Sequence, residues 1–578
     1  MVPPSRRAAD PELNDIAQSV TRSGTTPVPL INYIDRYVFD RIEKDKIPHA
    51  GLSTDEEFLR RIYLDLTGRL PEPDVIQKFL ADHTPGKRTK VIDELMATPE
   101  SGRSTKLETP FLSRWTYFFC DLFEVSVPHM ERGRTPFADY IHLVLLDNVP
   151  YDRWVTELLT AKGRSNWLDG PMNFLTAQEV DDFNDRLTNQ EDTDDAIAIA
   201  TGKLFLGVNM ECVSCHDGKG HLEKINVGLS HITRDQLWRQ AAFFSKLDFK
   251  KPYSINQEFS ILPDRAGYDV TSHSVQRMPR YKADVTPQFF LSGERPRPGE
   301  DWQAAFARML TASPQFARAT VNLFWTELMG VGIVDPPFSF DLARQDPANP
   351  PAKPWTIQPA NPELLDALAK DFRDHHFDLR YLIRTIVTSS TYQLSSHFDG
   401  EWKVAYEPYF ARHHVRRLDP EMIADAISQA TGVFNEMDVM YSDRKVSYVM
   451  DTYGPEDVRG KSVGPLGSFL HLMGQGYRVS PEKDNSGSMV EASALLNSRF
   501  VRDRVKISEK GRLHDLLTHT PPLSNDDIVD QVFLAFLGRH PSPKEKTLAI
   551  QALEQRHGQG LEDLAWSLIN MPQFLLNY

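Results

Sequence analysis

The hydrophobic positions of this chain follow a helical pattern from Ile31 onward. In the first predicted helix Ile34, Val38 and Ile42 lie four residues apart, so their side chains fall on one face. Residues 1–30 are rich in proline, serine and threonine, a composition that predicts a flexible N-terminal lead-in. The alternation of apolar and polar residues that is typical of strands is scarce. The chain is therefore predicted to be a mainly α, multi-helical protein with little β-structure.

A sequence repeat links the two ends of the chain. Residues 63–73 match residues 533–543, with leucine, glycine, arginine and two prolines at equivalent places. Each copy is followed by a helical segment and then by a Leu-x-x-x-Pro ending, at residues 95–99 and 568–572. Glycine ends helices because it adopts positive φ without steric cost, and proline is favoured in the first turn of the next helix. We interpret the repeat as a duplicated helix–turn–helix packing unit rather than as a recognition module.

The most informative motif is Cys212-Val-Ser-Cys215-His216, which contains two of the three cysteines in 578 residues. This spacing is the attachment signature of a c-type haem. The two thiols can form thioethers with the porphyrin vinyl groups, and His216 then supplies an axial ligand to the iron. We therefore predict a covalently bound haem c. A zinc site, a thioredoxin-like dithiol and a plain disulfide are the alternatives. The third cysteine, Cys120, lies in an apolar segment and is predicted to be a buried thiol.

The second axial ligand is predicted to be Met278, which stands in a Met-Pro dipeptide 62 residues after His216. A methionine that arrives from further along the chain raises the reduction potential of the iron. His221, His231 and His273 are rivals that would give bis-histidine ligation. An open sixth position is the third option, and it would suit peroxide or small-molecule chemistry.

Three other features have a structural and a functional interpretation. Residues 238–253 are rich in aromatic and cationic side chains, which form either an ordinary amphipathic helix with its exit or a wall around the haem. The acidic run at residues 191–195 is predicted to be a solvated loop rather than a calcium site, because it lacks the glycine of an EF-hand loop. The paired histidines at 375–376 and at 413–414 are predicted to lie at the surface.

Composition limits the partners of the protein. The formal net charge of −15 argues against a nucleic-acid partner. No run of 18 or more apolar residues is present, so no transmembrane segment is predicted. The N-terminus also lacks the apolar core of a secretory signal. Because haem attachment takes place outside the cytoplasm, we expect a periplasmic or secreted protein whose signal peptide has been removed.

Several longer motifs resemble those of the DUF1549/DUF1553 proteins. The segment FLRRIYLDLTGRLP at 58–71 and the segment LFLGVNMECVSCHD at 204–217 are similar to the first half of that family. The segment FARATVNLFWTELMGVGIVDP at 316–336 and the segment RRLDPE at 416–421 are similar to the second half. The resemblance implies two helical modules, a DUF1549-like module at 31–250 that carries the cysteine motif and a DUF1553-like module at 301–578. Residues 251–300 would then be a linker.

Two functional hypotheses follow. The first is a cytochrome c-like protein that transfers electrons to a redox partner or uses its haem in redox chemistry. The second is a non-haem extracellular scaffold or polysaccharide-associated binding protein, as the resemblance implies, in which Cys212 and Cys215 form a disulfide or a metal site. Neither hypothesis fixes an enzymatic activity or an oligomeric state.

Overall fold

A computed structural model describes most of the chain. The described residues are 26–99, 108–181, 186–253, 256–268, 285–458, 464–476, 488–507 and 510–578, together with 18, 21, 24 and 478. The fold is mainly α-helical, as predicted, with 56% of the described residues in helices and 4% in strands. Among the described residues no helix is both long and apolar enough to cross a membrane.

The helices and strands are numbered in chain order. The helices are α1 Tyr33–Asp45, α2 Asp55–Thr67, α3 Pro73–Ala81, α4 Lys87–Met96, α5 Pro110–Leu122, α6 Val127–Met130, α7 Arg134–Leu146, α8 Tyr151–Thr160, α9 Met172–Thr176, α10 Arg186–Leu206, α11 Glu211–Cys215, α12 Val227–Ser230, α13 Arg234–Ala241, α14 Trp302–Ala312, α15 Pro314–Met329, α16 Pro362–Asp374, α17 Leu379–Thr388, α18 Pro420–Thr431, α19 Gly464–Leu472, α20 Met489–Asn497, α21 Arg499–Val505, α22 Arg512–Thr518, α23 Asn525–Leu537 and α24 Pro543–Ile569. The strands form three antiparallel pairs, β1 Asp248–Lys250 with β2 Ser260–Leu262, β3 Arg416–Arg417 with β6 Leu576–Asn577, and β4 Met437–Asp438 with β5 Lys445–Val446.

The chain divides into two compact units. Unit 1 consists of Met1–Asp121, Leu328–Gly330 and Arg384–Tyr578, and unit 2 consists of Leu122–Glu327 and Val331–Ile383. Each unit is therefore built from separated stretches of sequence, whereas the modules predicted from the sequence are continuous. The cysteine motif lies in unit 2, and both copies of the terminal repeat lie in unit 1.

The two copies of the repeat have the same backbone geometry, as predicted. Helices α2 and α23 each contain 13 residues and end at Gly68 and Gly538, whose φ/ψ angles are 67°/12° and 71°/15°. The next helix of each copy begins at a proline, Pro73 or Pro543. Because both glycines have positive φ, any other residue at these two turns would be strained.

Buried charges on α2 hold the last residues of unit 1. Arg61 forms an ion pair of 2.8 Å with Glu57, and both side chains are almost fully buried. The Arg61 guanidinium also donates to the backbone carbonyls of Tyr392, Leu394 and Tyr578 at 2.7, 2.9 and 3.0 Å. Arg61 of the 58–71 segment therefore has a structural role within unit 1.

The acidic run at 191–195 is not a solvated loop, contrary to the prediction. It lies within α10, where Glu191 and Asp194 are fully buried. Arg265 donates to both carboxylate oxygens of Asp194 at 3.1 and 3.0 Å, and the Tyr268 hydroxyl donates to Asp195 at 2.6 Å. Burial raises the pKa of Asp194 to about 8, and Arg265 opposes that rise. The prediction failed because Arg265, the cation that hydrogen-bonds Asp194, lies 71 residues further along the chain.

The prediction of surface positions for the paired histidines holds for one pair only. His375 and His376 are exposed, whereas His413 and His414 are fully buried in unit 1. The His414 ring packs edge-on against the Trp402 ring, with 6.0 Å between the ring centroids. Neither nitrogen of the His414 ring has a hydrogen-bond partner among the described residues. His414 is therefore a buried neutral imidazole, and the prediction of a surface position is wrong for this pair.

Acidification is expected to destabilise unit 1 through His414. Burial lowers the pKa of His414 from its ordinary 6.5 to about 3, and Arg412 acts in the same direction. Below pH 6.5 the unfolded state binds more protons than the folded state. The stability that neutral His414 contributes is therefore fully present above pH 6.5 and is lost as the pH falls toward 3. Between pH 7 and pH 5, His414 should lower the free energy of unfolding by about 2 kcal/mol. Urea denaturation at the two pH values measures this change, and an equally steep pH dependence in His414→Phe would contradict it.

Candidate functional site

The cysteine motif lies on α11, a short helix in unit 2. Cys212 and Cys215 are three residues apart, so their side chains lie on the same face. Both thiols are free and exposed, whereas Val213 between them is fully buried and attaches the helix to the core. The third cysteine, Cys120, is buried, as predicted. Only the two thiols of the motif are therefore available to a cofactor.

His216 follows the helix directly in an extended conformation, with φ −154° and ψ 163°. Its Nδ1 lies 2.8 Å from the backbone oxygen of Asp217. When Nδ1 carries the proton and donates it to that carbonyl, the lone pair of Nε2 is left for a metal ion. This is the arrangement that an axial haem ligand requires.

Backbone contacts fix the loop that follows the motif. The Gly218 amide donates to the Ile232 carbonyl at 2.9 Å, and a Cβ at Gly218 would lie only 1.9 Å from the Leu229 carbonyl oxygen. The buried Asp341 carboxylate accepts hydrogen bonds from the amides of Val227 and Gly228, both at 2.8 Å. The loop therefore has a defined position, and only glycine fits at residue 218.

Arg234, the first residue of α13, contacts the motif on both sides of His216. Its Nε donates to the Ser214 carbonyl at 2.8 Å, and its backbone amide donates to the Asp217 carboxylate at 2.8 Å. Its guanidinium carbon lies 4.9 Å from the centre of the Trp238 ring. Sequence reasoning missed Arg234 because no local spacing connects it with a motif about twenty residues earlier.

Of the four residues predicted as candidates for a second axial ligand, the structure describes His221 and His231. Met278 and His273 lie outside the described residues, so the structure says nothing about them. The His221 ring is exposed and lies 4.1 Å from the His216 ring, measured between centroids. Two rings in direct contact cannot bind one iron from opposite faces of a porphyrin, so ligation by His221 requires the loop to move. His231 is also exposed.

Most aromatic side chains of the 238–253 segment belong to the core of unit 2, whereas Tyr253 is exposed. Leu237, Ala241 and Phe244 are fully buried, as the amphipathic-helix interpretation predicts. Phe243 and Phe244 pack on Phe306, with ring centroids 5.2 and 5.1 Å apart. These packed rings do not provide a wall for a haem at the exposed thiols.

The charged side chains around the motif are of both signs, and their sites are open to water. The exposed ones are Glu211, Asp217, Lys219, Glu223 and Lys224. The Gly220 amide donates to the Glu223 carboxylate, and this bond lowers the pKa of Glu223. No three His, Cys, Asp or Glu residues in the described parts of the chain are placed to hold a metal ion together.

Comparison with known families supports the resemblance found in the sequence. Residues 33–248 match the family PSCyt2, described as a protein of unknown function (DUF1549). Residues 303–553 match the family PSD1, described as a protein of unknown function (DUF1553). The chain thus carries a DUF1549 region that contains the cysteine motif, followed by a DUF1553 region. No curated protein and no solved structure matches it.

Proposed function

We propose that this chain is a haem c protein of the periplasm or the extracellular space that takes part in electron transfer or haem-dependent redox chemistry. The observation that carries the proposal is the geometry of the motif. Two free, exposed thiols lie on one face of α11, and the adjacent His216 has its Nδ1 at a backbone carbonyl. These residues fit a covalently attached haem.

Each residue of the motif has a distinct task in this proposal. Cys212 and Cys215 would hold the porphyrin through thioether bonds, and His216 would bind the iron through Nε2. The Asp217 carbonyl would orient the His216 ring. Bound haem supplies one-electron chemistry at its iron. Because both thiols are exposed, a redox partner protein can approach this face, and this favours electron transfer over a closed active site.

The contact between the rings of His216 and His221 favours a second candidate, a non-haem metal-binding protein. Cys212, Cys215, His216 and His221 have the ligand types of a structural zinc site, although His216 follows Cys215 directly, without the roughly 12–15 residues that separate the two ligand pairs in zinc fingers. A metal or a disulfide at this place would stabilise the loop of an extracellular scaffold or a polysaccharide-associated protein. Among the described residues these four side chains are not arranged around a common metal position. Zinc binding would therefore require them to rearrange.

The deciding experiment uses protein exported from a host with haem-attachment machinery. A Soret band, a pyridine haemochrome spectrum with the position typical of thioether-linked haem, and a mass increase of one haem are the expected results. Metal analysis of the same sample addresses the second candidate. A colourless protein with the mass of the bare polypeptide would refute the haem proposal, and one equivalent of zinc in that sample would establish the alternative.

The sixth iron ligand has its own test. With Met278 as the ligand, the ferric protein should be low-spin, and Met278→Ala should make it high-spin and able to bind cyanide quickly. His273→Ala and His221→Ala are the matched controls and should leave the spectrum unchanged. A Met278→Ala protein that stays low-spin would exclude Met278 as the sixth ligand. A wild-type protein that is already high-spin would contradict electron transfer and support chemistry at an open iron site.

A further inference from the structure

Arg234 holds the motif at two points that lie on either side of His216. Its side-chain Nε donates to the Ser214 carbonyl, and its backbone amide donates to the Asp217 side chain, each at 2.8 Å. The Ser214 carbonyl belongs to the last turn of α11, where carbonyl groups lack partners within the helix. One residue therefore caps the helix that carries the cysteines and also fixes the residue that orients the histidine.

The two arginines of α13, Arg234 and Arg239, differ in their ion pairing. The Arg234 guanidinium forms no ion pair with any residue in the described ranges, and it is half-buried against Trp238. Arg239, five residues further along α13, is ion-paired with Asp235 at 3.0 Å. Arg234 thus places a positive charge that has no ion-pair partner among the described residues at the Ser214 carbonyl of α11, two residues before His216.

We propose that Arg234 is a positioning residue that fixes His216 and raises the reduction potential of the iron, an inference that rests on the proposed haem function. A fixed positive charge near the iron disfavours the ferric state, which carries one more positive charge than the ferrous state. Partial burial reduces the screening of this charge by salt. The contact with Ser214 keeps the charge at a constant distance from the ligand.

The test compares three variants of the haem-loaded protein by spectroscopic redox titration. Arg234→Gln should lower the midpoint potential by about 59 mV, which corresponds to a tenfold change in the equilibrium constant of a one-electron couple. Arg234→Lys keeps the charge and should recover most of that shift. Arg239→Gln removes the same unit of charge five residues away, leaves the contacts with the motif intact, and should change the potential much less.

The outcomes separate this inference from the proposed function. A wild type without haem defeats the proposed function itself. A haem-loaded wild type whose potential Arg234→Gln changes no more than Arg239→Gln overturns the inference alone. If Arg234→Gln does not load haem, the midpoint potential of Arg234→Lys is compared with that of the wild type instead. Equal potentials support the role of the charge, and a clearly lower potential in Arg234→Lys overturns it.

Discussion

Replacing Cys212 and Cys215 together with alanine is expected to abolish haem attachment completely. The exported variant should have no Soret band and should have the mass of the bare polypeptide, because both thioether bonds are lost. Each single replacement should leave one thioether and a shifted pyridine haemochrome band. Because both thiols are exposed on the surface of α11, their loss should leave the fold intact. Mass spectrometry of the exported protein, with circular dichroism to verify folding, provides the measurement.

Cys120 offers a matched control within the same chain. Its thiol is fully buried in unit 1, so Cys120→Ala should load a full equivalent of haem. His216→Ala separates attachment from ligation, because it keeps both thiols and should retain covalent mass while losing the low-spin spectrum. Covalent haem in the double cysteine variant would place the attachment site elsewhere in the chain.

Features determined by local sequence were predictable. The terminal repeat depends on a glycine that adopts positive φ and on a proline in the first turn of the next helix, and both signals are readable from a few neighbouring residues. The angles at Gly68 and Gly538 accordingly agree within a few degrees. The cysteine motif is equally local, since α11 alone brings the two thiols to one face.

Features determined by distant contacts were not predictable. Asp194 lies in an acidic run, and a sequence window gives no sign that Arg265 enters the core to neutralise it. The position of His414 depends on packing against Trp402, and that of the motif depends on Arg234. Side chains with a polar end are assigned to solvent by default, and only a tertiary partner or a packed environment reverses this assignment.

The buried ion pair on α2 gives the second large prediction. Arg61→Ala is expected to lower the free energy of unfolding by about 3–5 kcal/mol, because it leaves the Glu57 carboxylate buried without its cation. The variant also leaves three backbone carbonyls without their donor, including that of Tyr578. An effect of this size is a large fraction of the roughly 5–15 kcal/mol by which folded domains are stable, so we expect low yields of soluble protein.

An exposed ion pair on the neighbouring helix serves as the control for Arg61. Lys78 and Asp74 on α3 have the same spacing of four residues, but their side chains are 79% and 66% exposed. Lys78→Ala should therefore change the free energy of unfolding by less than about 1 kcal/mol. The double variant Glu57→Gln/Arg61→Met removes both charges and should recover part of the loss, since no unpaired charge stays buried. Urea denaturation of the four proteins provides the comparison. Equal stabilities of Arg61→Ala and Lys78→Ala would show that the buried pair does not hold unit 1 together.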